Sequence, residues 1–340
     1  MSVTELSGVQ IVGLSSCVPK RSEDNLARCV EIYGDEKKAQ NIVKATGILS
    51  RRVVDEGTSS LDLCVAAAEK LIDGCAEKSG RSADDVKNDI GAVVQVTFTP
   101  ERAMPCNACQ AQSRLGLSTG IVAFDIGLAC SGYAYGLYVA GLMAKSLGKM
   151  VLLLDGDAQT PRMDPRDLAT VPVLADAGTA TLVSPDASAP TWKFAFMTDG
   201  AKGEALSLPW GGTIAMDGFA VFKFVTMDVL RFIGEFMCTC GLSPEDVDAF
   251  VPHQANVYMI QQIAKRMKFA PERLWVSGDS LGNSASATVP TTISYCAPER
   301  FGEAKSLKLL ISGFGGGLSA SVGLIELGKD SFVGHWTFGE

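Results

Sequence analysis

Three residues, each set in a segment of small side chains, carry the chemistry open to this sequence. Cys130 stands in Asp125-Ile126-Gly127-Leu128-Ala129-Cys130-Ser131-Gly132, where an apolar strand-like run gives way to a helix-like run. His253 stands in Val251-Pro252-His253-Gln254-Ala255-Asn256, and Asn283 in Leu281-Gly282-Asn283-Ser284-Ala285-Ser286-Ala287. A thiol at a helix N-terminus meets the positive end of the helix dipole and free N–H groups, which favour the reactive thiolate. A carbonyl bonded to that sulfur would find the Cys130 N–H aimed at it, half of an oxyanion hole. A histidine and an asparagine beside such a sulfur point to acyl transfer through an enzyme-bound thioester.

Each residue also has a plainer reading. A lone histidine is commonly a hydrogen-bonded structural residue, but the chain has only two, and His253 lies just past a buried strand among polar neighbours, before a helix beginning near Asn256. His335 reads as structural or exposed. Asn283 alone would be a helix N-cap. Ser312-Gly313-Phe314-Gly315-Gly316-Gly317-Leu318-Ser319 would let the backbone approach a ligand and aim N–H groups at an oxyanion. No Lys-Ser or Lys-Thr follows those glycines, so a phosphate loop is disfavoured.

The elements that must position these residues alternate along the chain. Strand-like apolar runs occur at 9–14, 90–96, 150–154, 249–251 and 309–311, separated by helical patterns, which predicts an α/β protein with covered sheets. The small residues after Cys130 predict a buried helix closely crossed by its neighbours. Ser82-Ala83-Asp84-Asp85-Val86 before the strand at Ile90 is echoed by Ser243-Pro244-Glu245-Asp246-Val247 before Ala249, both reading as capped helix starts. Ala144-Lys145-Ser146-Leu147 before the strand at Val151 is echoed by Ala304-Lys305-Ser306-Leu307 before Leu309. Two fused copies of one α/β unit are expected, residues 1–185 carrying the cysteine and 186–340 the histidine and asparagine. The stretch from Asp186 to about Ala220 reads as irregular, either walling a pocket or merely covering the core, with Trp192, Trp210 and Phe219 as packing anchors in both cases.

With 340 residues, 47% of them hydrophobic, the chain can bury a sizeable core, and its net charge of −8 with no long basic block excludes a nucleic-acid protein. Neither a leader-like start nor an apolar stretch of ~20 residues is present, so a soluble, cytoplasmic protein is expected. The ten cysteines then read as reduced thiols, mostly core fillers. Cys106-x-x-Cys109 and Cys238-x-Cys240 lack the glycine context of a zinc knuckle, and no metal is expected.

Taken in order, these segments resemble the thiolase superfamily, and most closely the β-ketoacyl-[acyl-carrier-protein] synthase III group. The resemblance spans nearly the whole chain. It includes Thr46-Gly47-Ile48, Cys109-Gln110-Ala111-Gln112 with Leu115-Gly116, Asp164-Pro165, Asp176-Ala177-Gly178, Gly282-Asn283-Ser284 and Phe314-Gly315-Gly316-Gly317. It implies a five-layered αβαβα fold from two duplicated halves, a homodimer, and a decarboxylative Claisen condensation. In that reaction Cys130 takes the acyl group, the N–H groups of Cys130 and Gly316 hold the oxyanion, and His253 and Asn283 hold the carbonyl oxygen of a malonyl thioester. The substrates implied are coenzyme A or acyl-carrier-protein thioesters, with no bound cofactor.

The chain departs from the group's pattern at several positions. Where relatives clamp coenzyme A with Trp and Arg, Asn41 and Ala45 stand here, and Leu168 stands where a further Arg is expected. Lys44 and Arg166 supply charge nearby but cannot stack or fork as Trp and Arg do. The acyl donor is therefore expected to be unusual. Tyr258 replaces a carrier-docking Arg, leaving Lys265, Arg266 and Lys268 as the docking patch, although such a patch is ordinarily a solvated helix face. Met104 replaces the aromatic that limits the acyl pocket across the dimer interface, which with Phe314 makes it a pocket residue. The alternatives are a C–O or C–N bond-forming acyltransferase, disfavoured by a neutral Asn283, and a silent partner subunit, disfavoured by retention of all three residues.

Overall fold

The computed structural model describes residues 1–340. Its ten principal strands fall into two sets of five, and four strands of each set follow one shared order. In the first set the order is Val122–Ile126, Ile90–Val96, Met150–Asp157, Ala177–Pro185, Val9–Val18. The second runs Ala249–Pro252, Ser306–Gly315, Ser319–Thr337, Trp192–Thr198, Thr4–Leu6. Ile90–Val96 is parallel to Met150–Asp157, and the next two pairings are antiparallel; the same three senses recur from Ala249–Pro252 onward. The counterpart of Val122–Ile126 has shrunk to one parallel bridge, Phe250 to Leu274. The 19-residue strand Ser319–Thr337 ties the sets together: a register break between Leu327 and Phe332 lets its end pair with Val9–Val18.

Alternation along the strands generates the layers. In Met150–Asp157, Val151 and Leu153 face a central core while Leu152 and Leu154 face an outer one. In Ser306–Gly315, Leu307, Leu309 and Ile311 face the central core while Leu310 and Phe314 face a third. Both faces of these strands are buried, so they read as continuous apolar runs. Helices Gly132–Leu147 and Thr288–Cys296 supply Leu137, Ala140, Val289 and Ile293 to the centre. Helix Ser60–Ser79 covers one outer face, and Leu230–Thr239 with Val257–Arg266 the other. The result is helix, sheet, helices, sheet, helix.

Local chemistry fixes the element ends. Ser59 and Asp62 form a reciprocal capping box at the start of Ser60–Ser79, and Ser82 with Asp85 and Ser243 with Asp246 do the same at the two repeated positions. The helix after Cys130 needs its glycines for close approach. A Cβ on Gly132 would lie 2.4 Å from a Val96 methyl, and one on Gly136 would lie 2.7 Å from the other. No helix is long and apolar enough to cross a membrane.

Three expectations need correction. The stretch from Asp186 is not irregular throughout, because Trp192–Thr198 is an internal strand of the second set. Trp192, Phe194 and Ala195 are all buried, so no polar alternation marked it. Trp210 and Phe219 are not packing anchors; they are 85% and 78% exposed. The Ala-Lys-Ser-Leu echo is not structural either, since Ala144–Leu147 ends a helix whereas Ser306 already begins a strand.

Candidate active site

The cavity containing Cys130 has a volume of about 460 Å³, and Cys130, His253 and Asn283 all line it. They arrive from different elements: the loop after Val122–Ile126, the end of Ala249–Pro252, and the turn before Ala285–Ala287. Phe314, Gly315 and Gly316 close one side. Leu206, Ser207, Leu208, Ile214 and Met216 form another, so the segment after Asp186 does wall a pocket. No Asp, Glu, Lys or Arg lines the cavity. A larger groove of about 700 Å³, lined by Lys78, Arg81, Lys149 and Lys305, lies elsewhere and contains none of the three residues.

Ser131 occupies the N-cap position of the helix that starts at Gly132 without a side-chain capping bond, so Cys130 sits at the helix N-terminus. The thiol is nevertheless not held as a thiolate. Burial pushes it up to about 12; Asp157 and Asp155 add to the rise, and the N–H groups of Cys130 and Gly316 oppose it. This corrects the expectation from the helix dipole, because desolvation of the sulfur of half-buried Cys130 by the cavity wall outweighs it. The same two N–H groups converge on the sulfur, the arrangement an acyl oxyanion needs.

His253 is 2% exposed, and burial lowers its ring to about 3, opposed by the Ala285 carbonyl. The imidazole is therefore neutral at pH 7. Its Nδ1 lies 2.7 Å from the Thr288 hydroxyl, and its ring meets Phe314 edge-on at 5.3 Å. Gln254 anchors the adjoining loop: its Nε2 donates to the Pro252 carbonyl at 2.7 Å, and its Oε1 accepts from the N–H groups of Ser277 and Gly278.

Asn283 is fixed through its backbone. Its N–H donates to the Val173 carbonyl, and its carbonyl accepts from the Ala175 N–H at 2.8 Å and from Gln159 Nε2 at 2.6 Å. Its side-chain Oδ1 accepts the Ala285 N–H at 3.0 Å, while Nδ2 makes only a long 3.4 Å contact to the Ala255 carbonyl. The amide oxygen is thus committed to the chain, leaving the NH₂ as the group available to a ligand.

The other expected residues lie outside this cavity. Met104 is 83% exposed and does not line it, so a pocket role would require a second copy of the chain. Lys265 and Arg266 occupy the last turn of helix Val257–Arg266, whose N-cap Asn256 lines the cavity; with Lys268 they are exposed. Asn41, Lys44, Ala45 and Arg166 are exposed, and Leu168 is half-buried. His335 is half-buried with Nδ1 2.7 Å from the Ser16 hydroxyl, a structural contact. Cys106 and Cys109 have sulfurs 3.4 Å apart, but no group of three metal-ligating side chains converges anywhere.

Beyond Thr288 and Gln159, sequence reasoning missed Asp155 and Asp157. Both are buried, and their signal was two carboxylates in the otherwise apolar Leu152-Leu153-Leu154-Asp155-Gly156-Asp157. Asp157 Oδ1 accepts from both Thr97 and Thr99 hydroxyls and from the Phe98 and Thr99 N–H groups, yet burial still raises the acid to about 7. Asp155 accepts from Ser286 at 2.5 Å, and burial likewise holds its carboxyl well above the usual carboxylate range.

Known proteins resemble this chain in sequence and in fold. Residues 124–200 match the family model described as 3-oxoacyl-[acyl-carrier-protein (ACP)] synthase III, and residues 237–327 match the model of its C-terminal part. The chain is 31% identical over 345 residues to a β-ketoacyl-[acyl-carrier-protein] synthase III of Syntrophomonas wolfei, covering 96% of this chain and 99% of that one. The crystal structure of a 3-oxoacyl-(acyl-carrier protein) synthase from Burkholderia xenovorans superposes with a TM-score of 0.91 at 29% identity, covering 99% of each chain. The priming β-ketosynthase of the R1128 polyketide pathway superposes with a TM-score of 0.82 at 26% identity, covering 96% of this chain and 98% of that one. With that fold and relatives matched along almost their whole length, the chain belongs to the 3-oxoacyl-[acyl-carrier-protein] synthase III family of thiolase-like acyltransferases.

Proposed function

We propose that the chain condenses a Cys130-bound acyl group with a malonyl thioester, using His253 and Asn283 as paired donors to the malonyl carbonyl. The observation carrying this reading is the meeting of Cys130, His253 and Asn283 in one cavity without a charged lining residue. In the first half-reaction Cys130 sulfur bonds to the acyl carbon of a donor thioester, the donor thiol leaves carrying the proton the cysteine gave up, and the N–H groups of Cys130 and Gly316 bear the oxyanion between.

In the second half-reaction the malonyl carboxylate enters a site offering no cation. An unpaired charge there is disfavoured, and loss of carbon dioxide moves the electron pair onto the thioester enolate. The enolate oxygen receives hydrogen bonds from the His253 ring and Asn283 Nδ2, both neutral donors. The carbanion then attacks the acyl carbon, Cys130 leaves as thiolate and regains a proton, and a β-ketoacyl thioester departs. The first half of the chain, 1–185, thus brings the nucleophile and the second, 186–340, the enolate donors.

Several narrower readings accompany this one. The exposed cations Lys265, Arg266 and Lys268 support docking of an acidic acyl carrier protein on the helix that starts at the cavity. The partly exposed edge strand Val122–Ile126 and the exposed Met104 support a homodimer through that edge. Donors are coenzyme A or carrier-protein thioesters, and a cytoplasmic setting would keep the ten cysteines reduced. Likeness to a polyketide priming ketosynthase supports a secondary-metabolite role beside a fatty-acid one.

The test is product analysis with acyl and malonyl thioesters. A β-ketoacyl thioester formed with one carbon dioxide per turn is expected. An ester or amide product without decarboxylation would contradict the reading.

A further inference from the structure

A buried neutral imidazole carries one ring proton, and the nitrogen holding it decides whether the ring can donate into the cavity. His253 Nδ1 faces the Thr288 hydroxyl at 2.7 Å. Thr288 is 2% exposed and opens helix Thr288–Cys296, so its hydroxyl has no solvent to turn to. A hydroxyl has one proton and two lone pairs. The Gln254 N–H points at this oxygen from 3.3 Å and can only donate to it. The hydroxyl proton has two acceptors within reach, the Ala285 carbonyl at 2.8 Å and His253 Nδ1.

These acceptors differ in need. The Ala285 carbonyl also receives the backbone N–H of Thr288, so it stays satisfied when the hydroxyl turns away. A bare Nδ1 has the Thr288 hydroxyl as its hydrogen-bonding partner and no other. We propose that Thr288 is a positioning residue, whose hydroxyl donates to Nδ1 of His253 and thereby keeps the ring proton on Nε2 as a donor to the substrate. This rests on the reading of His253 as a donor to the malonyl carbonyl. Without the hydroxyl, the partner left to the ring is the Ala285 carbonyl, which accepts from it and favours a protonated ring nitrogen. The ring proton then moves to Nδ1, and Nε2 presents a lone pair that repels a carbonyl oxygen.

The test is histidine ¹⁵N NMR of the full chain, unsubstituted and as Thr288→Val and Thr288→Ser. With only two histidines, a His335→Gln variant assigns the spectrum. The Nε2-protonated ring is expected in the unsubstituted protein and in Thr288→Ser, and the Nδ1-protonated ring in Thr288→Val. In single turnovers Thr288→Val should acylate Cys130 at the unsubstituted rate but decarboxylate the malonyl thioester about 100-fold more slowly, the size of one lost oxyanion donor; Thr288→Ser should recover most of that. An Nδ1-protonated ring in the unsubstituted protein, or an Nε2-protonated ring retained in Thr288→Val, overturns the proposal. Should the valine variant not fold, the unsubstituted spectrum still decides. Failure of Cys130 to acylate with any donor would instead contradict the functional reading, whichever tautomer the spectrum shows.

Discussion

Gly315 touches Cys130: a Cβ added to the glycine would lie 2.7 Å from the cysteine Cβ and 3.0 Å from its sulfur. The glycine-rich strand end and the nucleophile helix therefore meet without room for one methyl group, and the next N–H along, that of Gly316, reaches the same sulfur. Gly315→Ala should push the two apart and cut the rate of Cys130 acylation about 100-fold, as loss of one oxyanion donor does. Stopped reactions read by intact mass give the rate, and a thermal scan checks that the fold persists. Unchanged acylation in the folded variant would show that this contact does not govern the oxyanion site.

Asn283→Asp should separate the two half-reactions. The change keeps the shape and the oxygen that accepts the Ala285 N–H, but replaces the donor Nδ2 with a carboxylate oxygen. Acylation of Cys130 should persist, while decarboxylation of a malonyl thioester falls by about 100-fold or more. Equal loss in both half-reactions would place Asn283 in the general architecture of the site instead.

The sulfur itself should behave as a desolvated thiol. Because burial raises Cys130 to about 12, iodoacetamide at pH 7 should label exposed Cys109 and Cys238 first. Labelling of Cys130 should climb steadily as pH is raised from 7 to 10. Peptide mapping of the alkylated protein checks this; fast, pH-independent labelling of Cys130 would mean that the helix dipole prevails over desolvation.

Asp157 sets a pH dependence of stability with a definite sign. Its folded value, about 7, lies above the carboxylate value of 3.8, so between those limits the folded state binds more protons than the unfolded chain. Stability from this group is present below pH 3.8 and is lost as pH rises toward 7, by an amount on the order of 4 kcal/mol. His253, lowered from 6.5 to about 3, acts oppositely: the unfolded chain gains the proton first, so stability falls as pH drops below 6.5. Asp157→Asn removes only the first effect. Its unfolding free energy, relative to the unsubstituted protein, should rise between pH 4 and pH 8 in denaturant titrations; a difference independent of pH would mean that the carboxyl ionises normally.

Much of this was legible in the sequence, and the reason is locality. Cys130, His253 and Asn283 each sit at an element end beside Gly, Pro or Ser, where a short segment announces both the turn and the functional group it presents to the cavity. The apolar strands were legible because burial on both faces leaves continuous runs. The same burial hid Trp192–Thr198, whose Trp192 read as an isolated anchor. Thr288, Gln159 and Asp157 were not legible as site residues. Thr288 acts on a ring 35 positions away, Gln159 on a backbone carbonyl 124 away, and Asp157 through hydroxyls 58 and 60 away. Such partnerships exist only after the sheets have assembled.

Intact-protein mass spectrometry after incubation with a panel of acyl-coenzyme A and acyl-carrier-protein thioesters, with Cys130→Ala alongside, tests the proposed nucleophile most directly. We expect one acyl group to add to the unsubstituted protein from at least one donor, none to add to Cys130→Ala, and the adduct to disappear when a malonyl thioester is supplied. An adduct that survives in Cys130→Ala, or no adduct from any donor, would contradict acyl transfer through this cysteine.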